Sequence, residues 1–226
     1  MNVKTIKLKK TILENNDRNA DLMREELKQD GTYYMNIMSS PGSGKTTALV
    51  ETIKRLQQIS GLKIGVMEAD IDSDVDAKAI AEQTGVPAVQ LYTGGMCHLD
   101  ADMSRQGLKG ISSKELDLVF LENVGNLVCP AEFDTGAVKS VAILSVPEGD
   151  DKPLKYPLMF EEVDTVLVSK IDAMPAFDFD VERFKKNLAE CNDRATVFLI
   201  SAITGEGIDE WCQWLYDEVA GYLKEV

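Results

Sequence analysis

Along this chain, continuous apolar runs alternate with segments whose apolar residues recur at helical spacing. YYMNIM, Tyr33 to Met38, predicts a buried strand. Thr46 to Ile59 follows as a helix with Leu49, Ile53 and Leu56 on one face. KIGVM (Lys63 to Met67) predicts a second strand, and Val75 to Gln83 a second helix. AVQLY (Ala88 to Tyr92), LVFLE (Leu118 to Glu122), VAILSV (Val141 to Val146), TVLVSK (Thr165 to Lys170) and TVFLIS (Thr196 to Ser201) are further strand candidates. Runs that are apolar throughout, rather than alternating, belong to strands buried on both faces. That pattern predicts an α/β fold, a mostly parallel sheet flanked by helices on both faces. Asn15 to Lys28 predicts a helix before the first strand, stopped near Gly31. Ile208, Trp211, Leu215, Val219 and Leu223 mark an amphipathic final helix. The expected organisation is an N-terminal extension over residues 1–31 and one domain over 32–226.

Composition narrows the function classes. In 226 residues, 38 acidic side chains outweigh 24 basic ones, giving a net charge of −14. No basic block stands out to track a nucleic-acid backbone, so no nucleic-acid partner is expected. The start, MNVKTIKLKK, has lysines but no apolar core of a secretory leader. No apolar run approaches the ~18 residues of a membrane span. A cytoplasmic protein is expected, and in that compartment Cys97, Cys129, Cys191 and Cys212 read as ligands or core residues rather than disulfides.

SSPGSGKTT, Ser39 to Thr47, ends like the phosphate loop G-x-x-x-x-G-K-[ST], with Ser39 in the place of its first glycine. It lies between a predicted strand and a predicted helix, the context that motif needs. Pro41, Gly42, Ser43, Gly44, Lys45, Thr46 and Thr47 would then wrap phosphates with backbone N–H groups at a helix N-terminus. Lys45 would reach the β- and γ-phosphates, and the Thr46 hydroxyl would bind Mg²⁺. Mg²⁺ also needs hard oxygen ligands near strand ends. Asp70 and Glu122 each directly follow an apolar run and are the candidates. Asp72, Asp74 and Asp76 follow in the same acidic loop, and Gly125 is placed to offer its amide to the γ-phosphate. No residue stands like the water-orienting Gln of fast P-loop hydrolases, so slow turnover is expected, with Asp72 or Asp76 as helpers.

SKID, Ser169 to Asp172, approximates the guanine-reading pattern N/T-K-x-D after a late strand. A carboxylate at Asp172 accepts from guanine N1–H and the 2-amino group, which adenine lacks. Lys170 can lay its stem over the base. Ser201 and Ala202 stand where GTPases carry a second base-contact loop.

Two cysteines sit beside chemistry. GGMCHLD places Cys97 next to the sole histidine, His98, and Cys129 lies four residues after Gly125. Thiolate and imidazole suit Zn²⁺ or Ni²⁺ and do not suit Mg²⁺. Three ligands, two of them adjacent, grip one ion awkwardly. Two copies across a two-fold axis would supply six, so a metal site at a homodimer interface is expected. The segment from Glu122 to Cys129 would link the γ-phosphate sensor to a metal ligand, so hydrolysis that moves Gly125 would disturb Cys129.

Taken in order, SSPGSGKTT, EADIDSDVDA, GGMCHLD, LENVGNLVCP, DKPLKYP and SKID resemble the HypB family, GTPases that insert nickel during [NiFe]-hydrogenase maturation. The resemblance runs from about Tyr33 to the C-terminus. It implies a SIMIBI-like P-loop GTPase that dimerises with nucleotide, related to the urease accessory GTPase UreG. It implies GTP or GDP with Mg²⁺ as cofactor and an intersubunit Ni²⁺ or Zn²⁺ site at Cys97, His98 and Cys129. It implies a HypA-like nickel chaperone and the hydrogenase large subunit as partners. It also implies that Lys152 or Lys155 reaches the nucleotide of the partner subunit. Many family members carry an N-terminal CxxCGC motif or a histidine-rich tract. The first 30 residues here hold no Cys and no His, so tight N-terminal nickel binding is not expected. Three other readings compete with this one. A UreG-like GTPase lacks GGMCHLD and the NLVCP cysteine. A P-loop small-molecule kinase needs an acceptor pocket and an arginine-rich lid. A metal-storage module with a vestigial loop has no use for Lys45, Thr46, Asp70 and Asp172.

Overall fold

The computed structural model describes residues 8–225; the start of the chain, residues 1–7, where the absence of a leader was read, lies outside them. A helix, α1 (Leu8–Asp30), precedes the sheet and is longer than its apolar spacing predicts. The core is a βα alternation. It runs β1 (Tyr33–Ser39), α2 (Lys45–Ile59), β2 (Ile64–Asp70), α3 (Val75–Thr84), β3 (Ala88–Tyr92), α4 (Ala101–Gly110) and β4 (Leu118–Glu122). The second half runs α5 (Cys129–Glu132), β5 (Lys139–Ser145), α6 (Lys152–Lys155), α7 (Pro157–Glu161), β6 (Thr165–Ser169), α8 (Val181–Ala189), β7 (Thr196–Leu199) and α9 (Ile208–Lys224).

The seven strands pair in the order β3-β2-β4-β1-β5-β6-β7, and every pair is parallel. Alternate residues of each strand feed opposite layers. Tyr33, Met35 and Ile37 of β1 pack with Leu49, Ile53 and Leu56 of α2 and with Trp211 and Leu215 of α9. On the other face, Met23 and Leu27 of α1 and Leu108 of α4 cover Met67, Val119 and Leu121. Phe160 of α7 and Phe184 of α8 cover Ala142, Leu144 and Val166 there. Burying each such side chain is worth about 1.5–3 kcal/mol, which explains why the apolar runs are continuous.

β1 lies between β4 and β5, so the chain leaves it first toward one edge of the sheet and later toward the other. Open α/β sheets bind ligands at such a reversal, beyond the carboxyl ends of the strands. Ser39 to Thr47, Asp70, Glu122 and Lys170 all fall there. Among the described residues no helix is long and apolar enough to cross a membrane.

Candidate functional site

The loop after β1 is shaped by two glycines in the left-handed region, Gly42 at φ 77° and Gly44 at φ 86°. Gly44 is also the N-cap of α2. A side chain there would be strained, and bare backbone leaves room for a phosphate group to approach the start of α2. Ser39, in place of the expected glycine, is fully buried and its hydroxyl donates to the Ser40 carbonyl. It closes the loop's base rather than lining it. From outside, the Ser40 hydroxyl bonds the Glu148 carboxylate, which also accepts from the N–H and hydroxyl of Ser145.

Residues 40–47 line a cavity of ≈ 560 Å³ together with Glu68, Ala69, Asp70, Ile71, Asp76, Glu122, Val124 and Gly125. Inside it, the Thr46 hydroxyl donates to Glu122 Oε1 at 2.7 Å and Lys45 Nζ lies 3.6 Å from the same oxygen. Glu122 is 1 % exposed. Burial pushes its carboxyl above the ordinary range, and the Lys45 charge and the Thr46 hydrogen bond oppose that push.

A residue that the apolar pattern concealed joins it. Glu68 is 3 % exposed and stands directly across the ladder from Glu122. Burial, then the Glu122 charge, push its carboxyl up to about 8. Carboxylate oxygens of Glu68, Asp76 and Glu122 lie within 4.8 Å of one another. Oε2 of Glu68 and Oε2 of Glu122 are buried without a hydrogen-bond partner. Orphaned, hard carboxyl oxygens facing a phosphate cradle are what a Mg²⁺ ion satisfies, so the residues present fit that ion. Asp70 lines the same cavity, but its Oδ1 is engaged by the N–H groups of Asp72 and Ser73. Asp72 is exposed and lies outside the cavity lining. The one trace of Glu68 in the sequence is its place inside the run Ile64 to Ala69, which is buried on both faces of β2, and phase alone does not single it out.

The guanine-reading candidates converge on the same loop. The Ser169 hydroxyl donates to the Ser43 carbonyl, and Lys170 Nζ to the Gly42 carbonyl, both at 2.7 Å. Lys170 itself sits in the left-handed region at φ 58°. Asp172 Oδ1 accepts from the buried Ser201 hydroxyl at 2.6 Å, which ties the two loops together; Ala202 follows, half-buried.

The two cysteine segments also meet. A hydrogen bond with Cys97, then burial, raise the Cys129 thiol above its ordinary range, so the two sulfurs are neighbours. His98 does not join them in a three-ligand cluster within one chain; its ring stacks on Phe133, centroids 3.8 Å apart and planes 8° apart. Cys191 and Cys212 lie elsewhere, and Cys212 is buried in the core of α9. Lys152 and Lys155 do not line the cavity of their own chain. Lys152 lies over the Tyr156 ring and Lys155 pairs with Asp151.

Comparison with known proteins places the chain in a family. The family described as CobW/HypB/UreG, nucleotide-binding domain, matches residues 33–199. The hydrogenase maturation factor HypB of Azotobacter chroococcum mcd 1 is 45% identical over 219 residues, covering 97% of this chain and 71% of that protein. The structure of HypB from Helicobacter pylori in complex with nickel superposes with a TM-score of 0.84 at 38% identity, covering 92% of this chain and 96% of that one. HypB from Archaeoglobus fulgidus gives a TM-score of 0.83 at 38% identity, covering 92% of this chain and all of that one. With an all-parallel P-loop fold, this similarity over nearly the whole length shows that the chain belongs to the HypB family of hydrogenase maturation factors.

Proposed function

We propose that this protein is a slow GTPase that uses a nucleotide-dependent homodimer to deliver nickel to [NiFe]-hydrogenase in the cytoplasm. One observation carries the reading. A single short segment joins the phosphate cavity to a metal-ligand candidate. Glu122 stands in the cavity. Gly125 leans on the phosphate loop: a Cβ there would come 3.2 Å from Pro41 Cγ. Asn126 Oδ1 then accepts from the N–H groups of Val128 and Cys129, at 2.7 and 3.2 Å, and so fixes the start of α5. A shift of Gly125 therefore reaches Cys129 through one asparagine side chain.

In this reading Lys45 and the loop amides bind the β- and γ-phosphates of GTP. Thr46 and Glu122 would hold Mg²⁺, with Glu68 beside them and Asp70 lining the same cavity, and the ion would neutralise phosphate charge. Asp172 selects guanine, Lys170 covers the base, and Ser201 orients Asp172. Gly125 reports the γ-phosphate, and Asp76, which lines the cavity as Asp72 does not, assists the attacking water. Cys97, His98 and Cys129 from two subunits hold the Ni²⁺ or Zn²⁺ cargo, and Lys152 or Lys155 reaches across to the partner's nucleotide. A HypA-like chaperone supplies the nickel and the hydrogenase large subunit receives it. Intrinsic turnover is expected below ~1 s⁻¹.

Ni²⁺ affinity and stoichiometry, measured with GDP and with a non-hydrolysable GTP analogue beside size-exclusion chromatography, test the reading. The analogue is expected to drive dimerisation and change metal affinity, and Cys97→Ala to remove the metal. Metal binding identical in every nucleotide state would refute the coupling.

A further inference from the structure

The N-terminal helix touches both segments that carry the cysteines. Asn16 of α1 is 7 % exposed. Its Nδ2–H donates to the main-chain carbonyl of Asp134, and its Oδ1 accepts from the main-chain N–H of Ala101, both at 2.9 Å. Ala101 opens α4, three residues after His98, and its N–H is one of the four that a helix start leaves without a helical partner. Asp134 follows Phe133, the ring on which His98 stacks. A single buried amide thus spans from the Cys97–His98 segment to the Cys129 segment, with one hydrogen bond to each.

The surroundings hold both ends still. Asp100 caps α4 by accepting from the Met103 N–H at 2.8 Å. Arg24, two turns along α1, grips both carboxylate oxygens of Asp134 at 2.5 and 2.6 Å and the Ala137 carbonyl at 2.9 Å. Asn19 Nδ2–H adds a contact to Asp102 at 3.2 Å. Asn16 is the buried member of this set, and no other side chain type of its size both donates and accepts through a flat, uncharged group.

We infer that Asn16 is a positioning residue of the metal site, setting the separation of the Cys97–His98 and Cys129 segments from a helix that carries no ligand itself. The inference rests on the reading of Cys97, His98 and Cys129 as the metal ligands. Residues that orient ligands from behind change metal affinity by roughly 10- to 100-fold when replaced. A helix that merely stabilised the fold would move nucleotide and metal affinity together.

The test uses the full chain. Ni²⁺ affinity is read by competition with a chromophoric chelator, and affinity for a fluorescent GDP analogue is measured alongside. Asn16→Leu removes both hydrogen bonds. Asn16→Asp keeps the acceptor for Ala101 and loses the donor to Asp134. Expected is a Ni²⁺ affinity at least tenfold weaker in Asn16→Leu, an intermediate loss in Asn16→Asp, and GDP affinity within twofold of the parent in both. Should Asn16→Leu not fold, Asn16→Asp alone decides by the same criterion. Ni²⁺ affinity within twofold of the parent, or parallel loss of both affinities, overturns the inference while leaving the metal site in place. Parent-like Ni²⁺ binding by Cys97→Ala overturns the ligand reading, and the inference with it.

Discussion

Replacing Glu68 by Gln is expected to stabilise the metal-free protein, and to do so increasingly as the pH rises. Burial and the neighbouring Glu122 push the Glu68 carboxyl up to about 8 in the fold, against 4.5 in an open chain. Between those values the unfolded chain has released its proton and the native protein has not. Raising the pH therefore favours unfolding through this group across that window. One pH unit is worth about 1.4 kcal/mol, so the full window gives a ceiling of about 5 kcal/mol. Effective dielectric constants at buried sites lie nearer ~20 than ~4, and one side of the carboxyl faces the cavity, so an effect of about 2 kcal/mol is expected. The amide in Glu68→Gln is the same size, does not titrate, and offers a donor to the neighbouring Glu122 carboxylate.

The assay is urea unfolding of parent and Glu68→Gln in the presence of a chelator, at a series of pH values. The stability difference should be near zero below about pH 4.5, grow with pH, and level off above about pH 8. Asp150 marks the opposite limb. The Arg183 guanidinium holds its carboxyl below the ordinary range, so its contribution is present above the unfolded value and is lost on acidification, in both proteins alike. A difference that is flat with pH, or a variant that is the less stable one in alkali, would refute the reasoning.

Gly207→Ala should be among the most damaging small substitutions. Gly207 sits at φ 73°, and a Cβ there would fall 1.8 Å from the Leu199 carbonyl oxygen, a backbone clash that no rotamer relieves. A loss of about 3 kcal/mol is expected, read as a lower urea midpoint. Asp172→Ala should leave phosphate binding intact and lower the preference for GTP over ATP by at least ~100-fold in competition binding.

Much of this was legible because strands buried on both faces announce themselves. Leu118–Glu122, buried throughout, lies where its apolar run places it, and so does Ala88–Tyr92, although that strand is at the sheet edge and only half-buried. β5 begins earlier than its apolar run because Lys139 and Ser140 pair with Met35 and Asn36 of β1. β7 ends earlier, at Leu199, because it is an edge strand and has β6 on one side alone. The phosphate loop and the two cysteine segments were legible because their residue types are chemically specific. Glu68 was not, because an acidic residue before Asp70 reads as the first of a solvated series. Its partner, Glu122, becomes a neighbour only once β2 pairs with β4. Asn16 was out of reach for the same reason: its two bonds join residues 85 and 118 positions away, and no local pattern marks it.

The cavity's own chemistry shows why these residues coexist in one fold. Thr46 and Lys45 both turn to Oε1 of Glu122, so one oxygen of that carboxylate is satisfied and the other is not. Glu68 repeats the shortfall one strand away. Burying two carboxylates side by side lowers stability, and core packing around β1 must offset it. The arrangement makes sense only if positive charge enters the cavity, since the same orphaned oxygens that weaken the fold are its strongest cation acceptors. The penalty sits at the head of the segment that ends in Cys129. Charge entering beside Glu122 relieves strain at the place from which Gly125 and Asn126 lead to Cys129.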